Sequence, residues 1–240
     1  MENDFIAIYP CGGVAEFSIE GNDMQHLHVR LDSGESIYAD AGHLVSKGFR
    51  VSINAMVRGG LLSGLKRALT GSSFFVTELA GPGEAVLAAA FPGKVFPVQL
   101  DGSRGILAES HSFLAAEPGV QYDAQMARLG AGILAGEGLF LARFSGRGNV
   151  YLHAYGGLIE RDLKPGEALQ VEAGHLLAFE EGMKYGISRV GGIRSMLFSG
   201  EGWFFVQIEG PGKVYMHTVT AQQLAGILIP YLPRQGGPGL

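Results

Sequence analysis

Gly71-Ser-Ser-Phe-Phe-Val-Thr-Glu-Leu-Ala-Gly-Pro-Gly-Glu-Ala-Val-Leu-Ala-Ala89 aligns without gaps on Gly136-Glu-Gly-Leu-Phe-Leu-Ala-Arg-Phe-Ser-Gly-Arg-Gly-Asn-Val-Tyr-Leu-His-Ala154 and on Gly200-Glu-Gly-Trp-Phe-Phe-Val-Gln-Ile-Glu-Gly-Pro-Gly-Lys-Val-Tyr-Met-His-Thr218. The copies lie 65 and 64 residues apart. Self-similarity at such a period marks tandem units that bury their apolar faces against one another. Within each copy the alternation is that of strands. One set points to a core: Phe75, Thr77, Leu79; Phe140, Ala142, Phe144; Phe204, Val206, Ile208. The turns Gly81-Pro-Gly83, Gly146-Arg-Gly148 and Gly210-Pro-Gly212 supply the positive φ of a tight hairpin. Beyond them Ala85, Leu87, Ala89; Val150, Leu152, Ala154; and Val214, Met216, Thr218 point inward. Tyr151 with His153 and Tyr215 with His217 point outward, either as core-edge residues of a neighbouring sheet or as interface residues.

A second block precedes each hairpin. Leu31-Asp-Ser-Gly-Glu35 leads to Gly42-His43-Leu44, Leu100-Asp-Gly-Ser-Arg-Gly105 to Ser112-Phe113-Leu114, and Leu163-Lys-Pro-Gly-Glu167 to Gly174-His175-Leu176. The leucine-to-leucine distances are 13, 14 and 13. Two blocks in one order, three times, predict an all-β chain of three tandem β-sandwich units: 1–90 with an N-terminal strand, 91–156 and 157–218. A C-terminal helix and a loose tail fill 219–240. The helix runs over Thr220 to Ile229, with Leu224, Ile227 and Leu228 on one side and Pro230 ending it. Gly-rich, Arg-containing stretches at 58–69, 128–135 and 189–198 join the blocks. In the first, Leu61, Leu65 and Leu69 share a helical face and Lys66 and Arg67 lie on another.

Composition narrows the function. Among 240 residues, 18 Lys+Arg stand against 23 Asp+Glu, a net charge of −5 that disfavours nucleic acid as a partner. Hydrophobic residues make up 47% and charged ones 17%, which suits a folded chain with a large core. Cys11 alone can form no internal disulfide, and Met1-Glu2-Asn3-Asp4 lacks the basic flank of a signal peptide, so a cytoplasmic setting is expected. The longest uncharged stretch, Val214 to Pro233, carries His217, Gln222, Gln223, Pro230 and Pro233 and does not read as a membrane span.

The GxGxxxxxxxxGxG hairpins, Arg58-Gly-Gly-Leu61, Phe113-Leu114-Ala115, Gly136-Glu137-Gly138, Gly200-Glu201-Gly202 and the strand-then-helix C-terminus together resemble the altered inheritance of mitochondria protein 24 family, formerly a domain of unknown function. The resemblance extends from about Asp40 to Leu232. It implies a threefold-repeated β-sandwich like the tryptophan RNA-binding attenuation protein, a short relative of the double-stranded β-helix, and trimers among prokaryotic members. It also implies a link, in eukaryotes, to mitochondrial inner-membrane organisation, and no catalytic residue. The chain departs from the family's Gln-Thr-Arg ending, with Met216-His217-Thr218 in its place.

Gly21-x4-His26-x-His28-x3-Asp32 partly imitates the first cupin metal motif, since histidines two apart on a strand share a face. Asp32 stands where a glutamate is needed, and no second motif brings a third histidine. An exposed or hydrogen-bonded pair is the simpler reading, with a cupin-like metalloenzyme as the alternative. His43 and His175 occupy matching positions three residues after Asp40 and Glu172. A duplicated turn explains them without catalysis, which would need a third positioned group. No nucleophile elbow, zincin motif or P-loop is present, and no cofactor is expected. The resulting expectation is a non-enzymatic scaffold or binding module that pairs with itself, as a homotrimer, because open apolar edges must be covered. A small-ligand or RNA binder by fold analogy remains an alternative. Arg58, Leu61, Leu65, Lys66, Arg67, Tyr151, His153, Tyr215 and His217 are the interface or binding candidates. The 58–69 stretch could instead touch an anionic membrane surface, although three cations fall short of a polybasic cluster.

Overall fold

The structure is a computed structural model that describes residues 7–9, 15–55, 76–123, 141–190 and 203–232. The strands come in three successive sets. The first is β1 (Ala7–Tyr9), β2 (Glu16–Glu20), β3 (His26–Leu31), β4 (Ser36–Asp40), β5 (Leu44–Lys47), β6 (Ser52–Ala55), β7 (Val76–Ala80) and β8 (Gly83–Ala88). The second is β9 (Gly93–Asp101), β10 (Ile106–Glu109), β11 (Phe113–Ala116), β12 (Val120–Asp123) and the bent β13 (Leu141–Tyr155). The third is β14 (Leu158–Leu163), β15 (Ala168–Glu172), β16 (Leu176–Glu180), β17 (Lys184–Val190), β18 (Trp203–Glu209) and β19 (Gly212–His217). One helix, α1 (Ala221–Leu228), follows, so the chain is all-β with a C-terminal helix. Among the described residues no helix is long and apolar enough to cross a membrane.

The expected alternation forms these strands. In β8, Ala85 and Leu87 are buried while Glu84 is exposed, and in β7 Thr77 and Leu79 are buried. The expected Gly-x-Gly hairpins are corrected: β7 and β8 do not pair with each other and lie in different sheets, as do β18 and β19, while the second copy is the single strand β13. At each crossing the second glycine takes the left-handed backbone, with φ of 143° at Gly83, 128° at Gly148 and 146° at Gly212. Phe204 is only half-buried and Thr218 is exposed, which corrects the inward assignment of both. Phe75 and Phe140 lie outside the described residues, as do Arg58, Leu61, Leu65, Lys66, Arg67 and the stretches at 128–135 and 191–198.

Pairing in the sheets also corrects the alignment of the second block. A register shift falls between Leu44 and Ser46 against β8, between Phe113 and Ala115 against β13, and between Leu176 and Ala178 against β19. Leu44, Phe113 and Leu176 are therefore equivalent, and so are the bulged Val45, Leu114 and Leu177. The spacing from Leu31, Leu100 and Leu163 is then 13 residues in every copy, with no insertion. Among the described residues three apolar clusters form, and each draws on more than one set. The cluster around Phe17, Leu27, Ile37 and Leu79 takes in Val95, Leu114, Ala115 and Tyr151, and the cluster around Ile106, Phe113 and Phe144 takes in Leu177, Ala178 and Tyr215. The third, around Leu163, Val171, Phe179 and Ile208, takes in Leu141 of the second set, with Leu107 packed against it.

Helix α1 starts at a capping box: Thr220 Oγ1 accepts from Gln223 N and the Gln223 side chain accepts from Thr220 N. None of its residues is buried. Its apolar side exposes Ile227 and Leu228, continued by Ile229, Tyr231 and Leu232.

Candidate functional site

The two joints between successive strand sets have one construction. Strand β11 pairs antiparallel with β4, Ala115 opposite Ala39 and Ala116 opposite Tyr38. Strand β16 pairs antiparallel with β10, Ala178 opposite Ala108 and Phe179 opposite Leu107. Pairing with β7, β13 and β18 makes β4, β10 and β15 equivalent, since Leu79, Phe144 and Ile208 stand opposite Ile37, Ile106 and Leu169. In each joint the bulged leucine enters the core of the preceding set, and Leu114 and Leu177 are both 0% exposed. The third bulged residue, Val45, is 64% exposed. Its strand, β5, ends the sheet β1-β2-β3-β8-β5, and β15 ends the sheet β15-β18-β17. Among the described residues, each has one pairing edge open.

Tyr151, His153, Tyr215 and His217 project away from their own set, and the next layer covers them. Tyr151 is fully buried with its ring stacked 4.4 Å from Phe17, and Tyr215 stacks 5.4 Å from Phe96. Of the two expected places, the core edge of a neighbouring sheet is the one taken: these four side chains are buried in seams inside one chain, not on an outer interface. Alternation reveals which face a residue takes, but not that a neighbour covers that face. Arg143, on β13, closes the second seam. Its Nε and Nη2 donate to Glu181 at 2.7 and 3.0 Å, and Glu181 also accepts from Gly105 N. Arg143 holds the Glu181 carboxyl below its ordinary range.

A row of rings runs along one side of the joints. Tyr155 lies 5.5 Å from His153 and 5.1 Å from His217, and His175 lies 6.2 Å from His217. His217 Nε2 donates to Gly174 O at 2.6 Å, and His175 Nδ1 donates to the His217 carbonyl at 2.7 Å. His153 is 1% exposed, and neither ring nitrogen has a hydrogen-bond partner. Burial, reinforced by His43 and His217, pushes its imidazole down to about 4, against the partial opposition of the Phe91 backbone, which stands outside hydrogen-bonding geometry. Burial also lowers His217, where the Gly174 carbonyl opposes it.

The matching turns after β4 and β15 hold as expected, but the carboxylates act mainly on backbone. Asp40 accepts from Gly42 N and Glu172 from Gly174 N, both at 3.0 Å. Asp40 also lies 3.3 Å from His43 Nδ1, which donates to Phe113 O. At the third equivalent turn Glu109 engages His111 at 2.6 Å, and that pair raises the His111 pKa. His26 and His28 both approach Glu20, at 3.4 and 3.5 Å, and His28 also approaches Glu84 at 3.5 Å. Among the described residues no group of three or more His, Cys, Asp or Glu is placed to hold a metal ion. Beside β5 lies an open cleft of about 710 Å³, bordered by Arg30, Lys47, Phe49, Arg50, Glu84 and Val86.

These features define an all-β protein of antiparallel strands with recurring bulges, its strand sets joined edge to edge, with one matching edge open at each end among the described residues. The family model described as mitochondrial biogenesis AIM24 matches residues 17–219, and the chain belongs to that family. It is 26% identical over 217 residues to the uncharacterized protein M6_Spy0233 of Streptococcus pyogenes serotype M6, covering 86% of each chain. The crystal structure of protein SPYM3_0169 from Streptococcus pyogenes is similar with a TM-score of 0.74 and 26% identity, covering 91% of this chain and 100% of that one.

Proposed function

We propose that this chain is a non-enzymatic scaffold whose activity is assembly with copies of itself. In this reading it comprises three tandem β-sandwich units akin to the tryptophan RNA-binding attenuation protein, and three chains close a ring. One observation carries it: the bulged strand occurs three times, twice buried by a neighbour and once bare, with Val45 exposed where Leu114 and Leu177 are sealed. A strand edge and an apolar side chain left open together invite pairing, and a heterologous contact between unlike ends closes into a ring when the rotation allows. The polar constellations support structure rather than turnover. His43 and His175 belong to capped turns, and among the described residues His26 and His28, beside Glu20, are not part of a group placed to hold a metal ion. Light scattering on the purified protein tests the proposal. The expected mass is about three times the 25.4 kDa of one chain. A mass near one chain at micromolar concentration overturns assembly, and a mass near two overturns the ring.

A further inference from the structure

The self-assembly reading says that copies meet; the two open edges say how. We infer that β5 of one copy pairs antiparallel with β15 of a second copy, Ser46 opposite Val171 and Lys47 opposite Gln170, and seats Val45 in the second copy's third apolar cluster. This inference rests on the assembly reading.

The register follows from two joints inside the chain. Ala115 and Ala178 occupy the position of Ser46, and Ala39 and Ala108 that of Val171. Ala115 faces Ala39 in the first joint, and Ala178 faces Ala108 in the second. Carrying the same rule once more places Ser46 against Val171. Small residues line this contact on both sides in both joints, and Ser46 keeps the pattern on its side.

The core receptor is present as well. Leu114 enters a cluster containing Ile37 and Leu79, and their equivalents in the third set are Leu169 and Ile208. Ile208 is buried, whereas Leu169 and Ile187 at the same cluster are only half-covered. That is the condition of a core missing its last side chain, and Val45 is the side chain of matching position without a core. Burying an aliphatic side chain of this size is a substantial driving force, so the match is energetic as well as geometric.

Charge agrees with this placement. In the second joint Arg104 approaches Glu180 at 3.7 Å. Glu167 stands at the position of Arg104, and the strand it would meet carries Lys47 and, past Gly48, Arg50. The open joint therefore reverses the polarity of the internal pair and keeps its complementarity. The cleft bordered by Arg30, Lys47, Phe49 and Arg50 lies on this same face, where the second copy would close over it.

Disulfide trapping between copies tests the register. Two versions of the full chain are made on a Cys11→Ser background, one with Ser46→Cys and one with Val171→Cys, and each is checked for wild-type mass by light scattering. After mixing, exchange and mild oxidation, a covalent two-chain species is expected only when both are present. Pairing Ser46→Cys with Gln170→Cys is the control, because a one-residue slip puts the thiols on opposite faces of the sheet. Cross-linking in the control and not in the test pair overturns the register, as does wild-type assembly with no cross-link in either, and both results leave the assembly reading standing. A single-chain mass for the wild-type protein removes both. Val45→Asp is expected to abolish the assembled mass without unfolding the chain; unchanged assembly would remove Val45 from the contact.

Discussion

The two seams inside the chain share one backbone plan and are filled differently. In the first, Leu114, Ala115 and Tyr151 meet Phe17 and its neighbours, and His153 is enclosed with neither ring nitrogen satisfied. In the second, Leu177, Ala178 and Tyr215 meet Phe96, His217 donates to Gly174 O, and Arg143 grips Glu181 in two hydrogen bonds. Backbone register and a small residue facing a small residue are common to both; the polar fittings are not. The joint is therefore specified by strand pairing and bulge geometry, while each seam adjusts its own stability and its response to acid.

The largest contrast is expected from the stacked tyrosines. Tyr151→Ala opens a fully enclosed site against Phe17 and is expected to cost about 3 to 5 kcal/mol, the range for losing a large buried aromatic. Tyr215 keeps 7% exposure, so Tyr215→Ala is expected to cost less. Urea denaturation of both variants measures the difference, and equal losses would mean that the seams are energetically alike.

Acid separates the seams next. His153 is held near 4 in the folded chain, against an ordinary histidine value of 6.5. Between those values the unfolded chain binds a proton that the folded chain does not, so stability falls as pH drops from about 6.5 toward 4. At about 1.4 kcal/mol per pKa unit the loss is on the order of 3 kcal/mol. Denaturation midpoints measured across that range for the wild type and His153→Leu check this: the variant's pH profile should flatten. His217→Leu should flatten it less, because the Gly174 carbonyl opposes the shift there. An unchanged profile in His153→Leu would assign the acid response to other groups.

The strands were legible because a two-residue alternation is a local property of the chain; the Gly-x-Gly turns were legible as glycine positions but not as crossings between sheets, because the partner of each flanking strand is a tertiary fact. Phe144, Val206 and Leu87 are buried as the pattern required. The bulge was not legible: one extra residue leaves the alternation for a single step, and aligning Leu44 with Leu114 concealed it. Once Leu44, Phe113 and Leu176 are matched, Val45 falls beside two buried leucines and stands out as the exposed member. The Tyr and His positions were assigned to the correct side of their strands, but whether a neighbouring sheet or another surface covers that side is a tertiary fact. Desolvation of His153 and the reach of Arg143 to Glu181 depend on the same tertiary packing.

Amide hydrogen exchange at β5 and β15 tests most directly whether the bare joint is the third copy of the buried ones. At concentrations where the mass is that of three chains, the amides of 44–47 and 168–172 not already bonded to β8 and β18 should exchange as slowly as those of 113–116 and 106–109, and they should speed up on dilution to single chains. Fast exchange at these edges while the assembled mass persists would contradict the account.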